Sequence, residues 1–267
     1  MKTRVLFSIL VLVTSLPLFA QDESATETLP PSAVQWSLGL GWVSSPRPYV
    51  GVKNSVLVIP LVQLEYKKLY VQGIRAGFHL FEKGDVVFDA RARIVFAGLD
   101  PDDSPELDGI IERKSSIEGG FALDWSLGKY MLSATAFTDL LGRSDGQQVG
   151  LDFSRAWTFG RKRWGLTPSI GAVWQSSDFV DYYVGVTPEE ARPGRPPFKG
   201  ESAVNFRASV FAYFFLTLRV NFVALLRVQR LDDEISSSPI VDKPRGYFGL
   251  LGVNYRFGRL PPRPAAE

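Results

Sequence analysis

The chain has 267 residues, 30 basic and 28 acidic side chains, and no cysteine. Without cysteine there is no disulfide, no thiolate metal site and no lipid-modified N-terminus, and a charge this evenly balanced offers no basic patch for nucleic acid. Mean hydropathy is +0.02, aromatic residues make up 13% and glycines number 24, a mixture that suits an all-β membrane protein better than a soluble α/β enzyme.

The chain begins with a secretory signal. Lys2 and Arg4 precede an apolar run from Val5 to Leu16, and Leu18-Phe19-Ala20 offers a small residue before the acidic Gln21-Asp22-Glu23. That pattern predicts cleavage after Ala20, and the run is too short for the roughly 20 residues of a spanning helix. Losing Lys2 and Arg4 leaves 28 basic residues against 28 acidic ones. Beyond residue 20 no stretch is long and apolar enough for a transmembrane helix. Residues 21–33 (QDESATETLPPSA) are polar, carry Pro30-Pro31 near their end, and read as a flexible periplasmic leader.

From Val34 the pattern changes to period two and keeps it to Phe257. Val34, Trp36, Leu38, Leu40 and Trp42 alternate with Gln35, Ser37, Gly39 and Gly41. Runs follow at Ser55–Tyr66 and Leu69–Leu80. Phe88, Ala90, Ala92, Ile94 and Phe96 then alternate with Asp89, Arg91 and Arg93, and Ile117, Phe121, Leu123, Trp125 and Leu127 with Glu118, Gly120 and Asp124. Further runs occupy Tyr130–Thr138, Val149–Phe153, Trp164–Trp174, Val204–Val210, Leu218–Leu226 and Tyr247–Phe257. Most are about 9–12 residues, the length that crosses a bilayer at a tilt, whereas strands of soluble sandwiches average nearer 5–6. Several apolar faces begin and end in aromatics, as two interfacial girdles require. The other face carries Asp89, Arg91, Arg93, Glu118, Asp124, Asp152, Arg207, Arg219 and Arg256, which must look into a lumen because lipid does not tolerate them. On this assignment Leu123→Arg or Phe206→Arg costs about 2–4 kcal/mol near the midplane, while Asp124→Asn and Arg207→Gln are mild.

The fold class is therefore a closed antiparallel transmembrane β-barrel over residues 34–257, with residues 258–267 as an extension. Eleven runs are visible, and such barrels have even strand numbers, so twelve strands are expected, with ten as the alternative. The suspect stretches are Gly98–Ser115, Ser176–Lys199 and the run containing Pro60. Gly128-Lys129 and Phe215–Thr217 read as tight periplasmic turns. Gly98–Ser115, Ser176–Gly200 and Leu231–Gly246 read as long outer loops.

Four segments stand out in order: Gly39-Leu40-Gly41 with Pro48-Tyr49-Val50-Gly51; Asp181-Tyr182-Tyr183-Val184-Gly185-Val186-Thr187-Pro188-Glu189-Glu190-Ala191; Ser238-Pro239-Ile240-Val241; and the closing Tyr255-Arg256-Phe257. The series, from about Trp36 to Phe257, resembles the MipA/OmpV family of outer-membrane proteins, named for the MltA-interacting protein and OmpV. Its most specific element is the run from Asp181 to Ala191. Lys53-Asn54 departs from the Ser-Asp pair usual there, and Gly258–Glu267 extends past the usual terminal aromatic. The resemblance implies a scaffold barrel in the bilayer of the outer membrane that brings a murein transglycosylase together with a penicillin-binding murein synthase. Other members resemble porins or surface adhesion proteins. It supplies no catalytic residue.

The residues themselves agree: catalytic residues, none; cofactors, none; metal ligands, none. His79, the sole histidine, shares a strand face with Arg75 and Gly77. It is read as a lumen-edge histidine near a loop, because nothing places a nucleophile beside it. Asp100–Asp103 with Ser104 and Glu106 gathers carboxylates without calcium-loop spacing, and is read as a solvated loop. Tyr182 and Tyr183 are either a partner anchor or part of a loop folded into the barrel mouth. The Arg-rich lumen either selects anions or is plugged by Arg–carboxylate pairs.

Overall fold

The computed structural model describes residues 35–45, 47–54, 56–160 and 163–257. The expected signal, leader and C-terminal extension lie outside the described residues. Long alternating runs become strands because each residue meets either lipid or lumen, and a closed sheet leaves no backbone group unpaired in hydrocarbon. The strands are β1 Gln35–Ser44, β2 Val56–Tyr66, β3 Leu69–Gln72, β4 Arg75–Lys83, β5 Val86–Val95, β6 Ser116–Leu127, β7 Tyr130–Asp139, β8 Gln147–Arg155, β9 Trp157–Phe159, β10 Trp164–Gln175, β11 Ala203–Phe215, β12 Val220–Arg230 and β13 Arg245–Phe257. Every neighbouring pair is antiparallel, and β13 returns to pair with β1, so the sheet closes on itself. The seam runs from Trp36 opposite Phe257 to Ser44 opposite Gly249. The Trp36 and Phe257 rings stack there at 4.0 Å.

The ring has twelve staves. β8 and β9 are parted by Ala156 alone and meet β10 in one continuous register, Ser154 opposite Ser169 and Trp157 opposite Leu166. The strand hidden in the sequence was in none of the suspect stretches. The run read as Leu69–Leu80 is two strands, β3 and β4, folded back at Gly73-Ile74. Gly73 sits at φ +60°, a backbone conformation other residues adopt at a cost. The Pro60 run is one full strand, β2. The two long stretches hold helical turns instead: Pro101–Asp103, Pro105–Leu107 and α1 Ser177–Val184. A further turn, α2 Asp233–Ser236, lies in the last long loop.

Faces follow the alternation. Trp42, Leu123, Leu151, Phe206 and Leu251 are exposed on the outside, while Asp89, Arg93, Glu118, Asp152 and Arg207 are buried within. Arg219 departs from this: it is exposed in the turn before β12, where Arg219 N–H bonds to Thr217 Oγ1, because the chain has not yet entered the wall. At one end the connections are two to four residues, at Lys67-Lys68, Gly84-Asp85, Gly128-Lys129, 160–163 and Leu216–Arg219. At the other they are the long segments 45–55, 96–115, 140–146, 176–202 and 231–244, with the two-residue turn Gly73-Ile74 the exception on that side. Short turns mark the periplasmic end and long loops the outside.

Candidate functional site

The long loops fold together over the mouth. Tyr49, Val52, Val95, Leu99, Leu107, Ile110, Phe179, Val180, Tyr183, Val184, Leu231, Ile235, Ile240 and Val241 form one buried apolar core. Each fully buried aliphatic or aromatic side chain there contributes about 1.5–3 kcal/mol. Helix α1 starts where Ser176 Oγ accepts from Phe179 N–H, and ends at Gly185, whose N–H donates to Asp181 O. Gly185 must stay glycine, since a Cβ would lie 2.3 Å from Asp181 O. Three of the four sequence segments singled out above meet in this cap. Tyr49 OH donates toward Ala97 O and Tyr183 O, each at 3.2 Å, and Val50 N–H donates to Ile240 O. Ser238 Oγ donates to Val184 O at 2.6 Å.

Two charged groups lock the cap. Glu190 accepts from Thr187 N–H, Ile111 N–H and, at both oxygens, from Arg113 at 2.9 Å. Burial opposes its ionisation, but these N–H groups and the guanidinium more than offset that and hold the carboxyl below its ordinary range. Arg195 donates to the carbonyls of Glu106, Asp108 and Glu190, tying loop 176–202 to loop 96–115. Burial pushes the Tyr183 and Tyr49 phenols upward, so both remain neutral donors at physiological pH.

Beneath the cap the lumen wall carries ion pairs. Asp89 accepts from Tyr70 OH and Arg91, each at 2.7 Å, and lies 2.7 Å from His79 Nδ1. Arg91 also reaches Asp124 at 3.1 Å, which accepts from Ser133 Oγ. Arg207 grips Asp152 through two nitrogens, at 2.8 and 2.5 Å. Nearer the mouth, Arg93 donates to Glu118, which accepts from Gln148; Gln148 accepts from Gln175, and Gln175 from Asn205. That chain crosses from β5 to β11. Bidentate and charge-assisted bonds of this kind are the strong ones, and removing one partner of a buried pair costs about 3–5 kcal/mol. Arg207→Gln is therefore not the mild change that the sequence suggested.

The structure thus places each residue singled out in the sequence. His79 faces the lumen in the Asp89 network, at mid-strand and on the side of a short turn. Asp100 caps the turn Pro101–Asp103, and Asp103 pairs with Arg47 at 2.6 Å. No group of three or more metal-ligating side chains occurs among the described residues. Tyr183 is buried in the cap, and Tyr182 OH accepts from Lys114 N–H, so both belong to the folded mouth. Sequence reasoning missed Arg113, Arg195 and Arg47, which lie in loops with no period to mark them. Gln148 and Asn205 occupy inward positions of the alternation, a signal that was available.

A family model described as MltA-interacting protein MipA matches residues 38–257. The MltA-interacting protein of Escherichia coli (strain K12) is 27% identical over 236 residues, covering 84% of this chain and 90% of that protein. Outer membrane protein OmpV of Vibrio cholerae is 26% identical over 158 residues, 59% of this chain and 61% of its own. Among solved structures, an outer membrane channel from Pseudomonas putida F1 superposes loosely, at TM-score 0.40 and 12% identity, over 89% of this chain and 100% of that one. With a family model spanning the barrel from β1 to β13, this chain belongs to the family of the MltA-interacting protein MipA and is a twelve-stranded β-barrel of the outer membrane.

Proposed function

We propose that the chain is a non-enzymatic scaffold, a barrel closed to bulk solutes that offers its periplasmic rim to murein-remodelling enzymes. The observation that carries this reading is the cap: a packed apolar core seals the outer mouth, above a lumen crossed by paired charges. A conducting porin needs an open water path, and both features obstruct one. Murein enzymes act in the periplasm, so docking falls to the short-turn end. There Lys67, Lys68, Lys83, Lys129, Arg163 and Arg219 are exposed, with Glu65, Glu82 and Asp85 among them. Such a rim steers an acidic partner surface, and the name of the MltA-interacting protein indicates the enzyme class. The leader Gln21–Ala33 and the proline-bearing Gly258–Glu267 are further candidates for such contacts, because proline-rich sequence suits recognition.

Two measurements test this. The refolded barrel in planar bilayers is expected to show no stepwise ion conductance; regular steps would turn the reading to a porin. Immobilised mature protein is expected to capture a lytic murein transglycosylase, and the triple variant Lys67→Glu, Lys68→Glu, Lys129→Glu to lose most of that capture. Equal capture by both would overturn rim docking.

A further inference from the structure

The barrel wall is incomplete on its loop side. β2 runs eleven residues and pairs with β1 from Val56 to Glu65, but on its other flank β3 covers only Gln63 to Tyr66. One more bond, Gly73 N–H to Val62 O, ends the contact. The hairpin turns back at Gly73-Ile74, and β5 meets it no higher than Ile94, whose N–H donates to Ile74 O. Among the described residues, no strand pairs with the flank of β2 from Val56 to Leu61. Val62 O aims at β3, so two residues earlier the backbone of Pro60 aims the same way, into the gap. Proline has no N–H, and strand prolines sit where the ladder is unpaired. Val56 and Val58, on the outer face of this edge, are 68% and 55% exposed.

Behind the gap the lumen is apolar. Leu57, Ile59 and Leu61 point inward from one jamb, and Ile74 and Phe96 stand at the other. All five are only partly buried, and they join Val43, Phe211, Val223, Leu225 and Phe248 in one cluster. Leu61 spreads over bare backbone: a Cβ on Gly252 would lie 2.4 Å from Leu61 Cδ1 and one on Gly41 3.1 Å from Cδ2. Val43, Phe211, Val223, Leu225 and Phe248 are buried, so the accessible apolar surface is that of the two jambs, which flank the gap in the wall. Moving an alkyl chain from lipid into an apolar lumen changes little by itself, because hydrocarbon is exchanged for hydrocarbon. Selection therefore falls to the head group. The strand-borne charges that face the lumen include Arg75, Arg91, Arg93, Arg207, Arg227 and Arg256 against Asp89, Glu118, Asp124 and Asp152. Arg75 stands at the sill of the gap, beside Ile74, with its guanidinium on Gln72 Oε1 at 2.7 Å.

We infer that the gap between β2 and β5 admits a single-chain anionic amphiphile of the fatty-acid class from the outer leaflet, its chain lying between the partly buried jambs Leu57–Leu61 and Ile74–Phe96 and its carboxylate among the wall arginines. This site does not depend on docking at the periplasmic rim.

The test uses the full mature barrel in lipid vesicles, with a diazirine-bearing palmitate and the matching diazirine-bearing hexadecanol as probes. After illumination, peptide mapping is expected to find palmitate on Leu57, Ile59, Leu61, Ile74 or Phe96, and hexadecanol mainly on lipid-facing residues such as Val58 and Leu251. Palmitate confined to lipid-facing residues would overturn the site, and equal lumen labelling by both probes would overturn the carboxylate assignment. Ile59→Glu is expected to cut lumen labelling by palmitate about tenfold, the factor set by carboxylate repulsion at roughly 10 Å and an effective dielectric near 20. Ile59→Leu is expected to leave it unchanged. Where Ile59→Glu fails to assemble, Ile74→Trp narrows the same gap and is expected to lower lumen labelling; unchanged labelling in a folded Ile74→Trp barrel counts against the site.

Discussion

Neighbouring residues of β11 provide a demanding check on the two faces of the wall. Phe206 is 61% exposed and faces lipid, whereas Arg207 is 5% exposed and faces the lumen. Arginine on the lipid face costs about 2–4 kcal/mol at the midplane and about 0–1 near the interfaces. Phe206 is the fourth residue of β11 from the loop end and lies opposite Arg230, the last residue of β12. Phe206→Arg is therefore expected to cost only about 1 kcal/mol, while Leu123→Arg, deeper in β6, carries the full 2–4. Arg207→Gln acts through Asp152, whose carboxylate stays buried without its two-nitrogen partner. At an effective dielectric near 20 and about 4 Å between charges the lost attraction is roughly 4 kcal/mol, within the 3–5 typical of a broken buried pair. Urea titrations of refolding into liposomes, read by tryptophan emission and heat-shifted mobility, should rank Arg207→Gln above Phe206→Arg. The double variant Arg207→Gln, Asp152→Asn should cost less than the sum of the two single changes, since no charge is then left unpaired. An Arg207→Gln barrel as stable as Phe206→Arg, or strict additivity in the double variant, would refute the pairing argument.

Other expectations follow from the cap and the termini. Because Glu190 is held below its ordinary 4.5, the folded cap binds fewer protons than the unfolded loop; its contribution is complete above about pH 4.5 and disappears as pH falls through the lowered value. Hydrogen exchange in loop 176–202 should therefore rise in acid. Glu190→Gln should loosen the loop at neutral pH and flatten that dependence, and an unchanged acid profile would count against it. Gly185→Ala should raise protease nicking of the same loop, because the added Cβ meets Asp181 O. Phe257→Ala should lower outer-membrane yield by removing the Trp36 stack at the seam, worth about 0.5–1.5 kcal/mol beyond burial, while deletion of Gly258–Glu267 should be tolerated; equal yields for Phe257→Ala and wild type would reject the first claim. Mass analysis of the purified protein should find Gln21 first, and a chain starting at Met1 would reject cleavage after Ala20.

The outward and inward faces, the unequal loops and the all-β class were all present in the sequence. In a membrane barrel each residue answers to its own side of the wall, lipid or lumen, so a period-two pattern records the fold locally. Even the missed hairpin left a trace: Leu69 and Val71 face outward on odd numbers, and Ala76, Phe78 and Leu80 on even ones, so the parity flips at Gly73-Ile74. What parity does not carry is which stave stands beside which residue. The pairing of Arg207 with Asp152, 55 residues apart, and of Arg113 with Glu190, 77 apart, depends on how the closed ring and its loops are registered. The cap gathers Tyr49, Tyr183 and Ile240 from three distant loops, and the gap exists only because a four-residue β3 ends halfway up an eleven-residue β2. Such features are differences in length and position between segments far apart in the chain, so tertiary closure alone decided them: a local pattern fixes the direction in which a side chain points, and the closed ring determines what it meets.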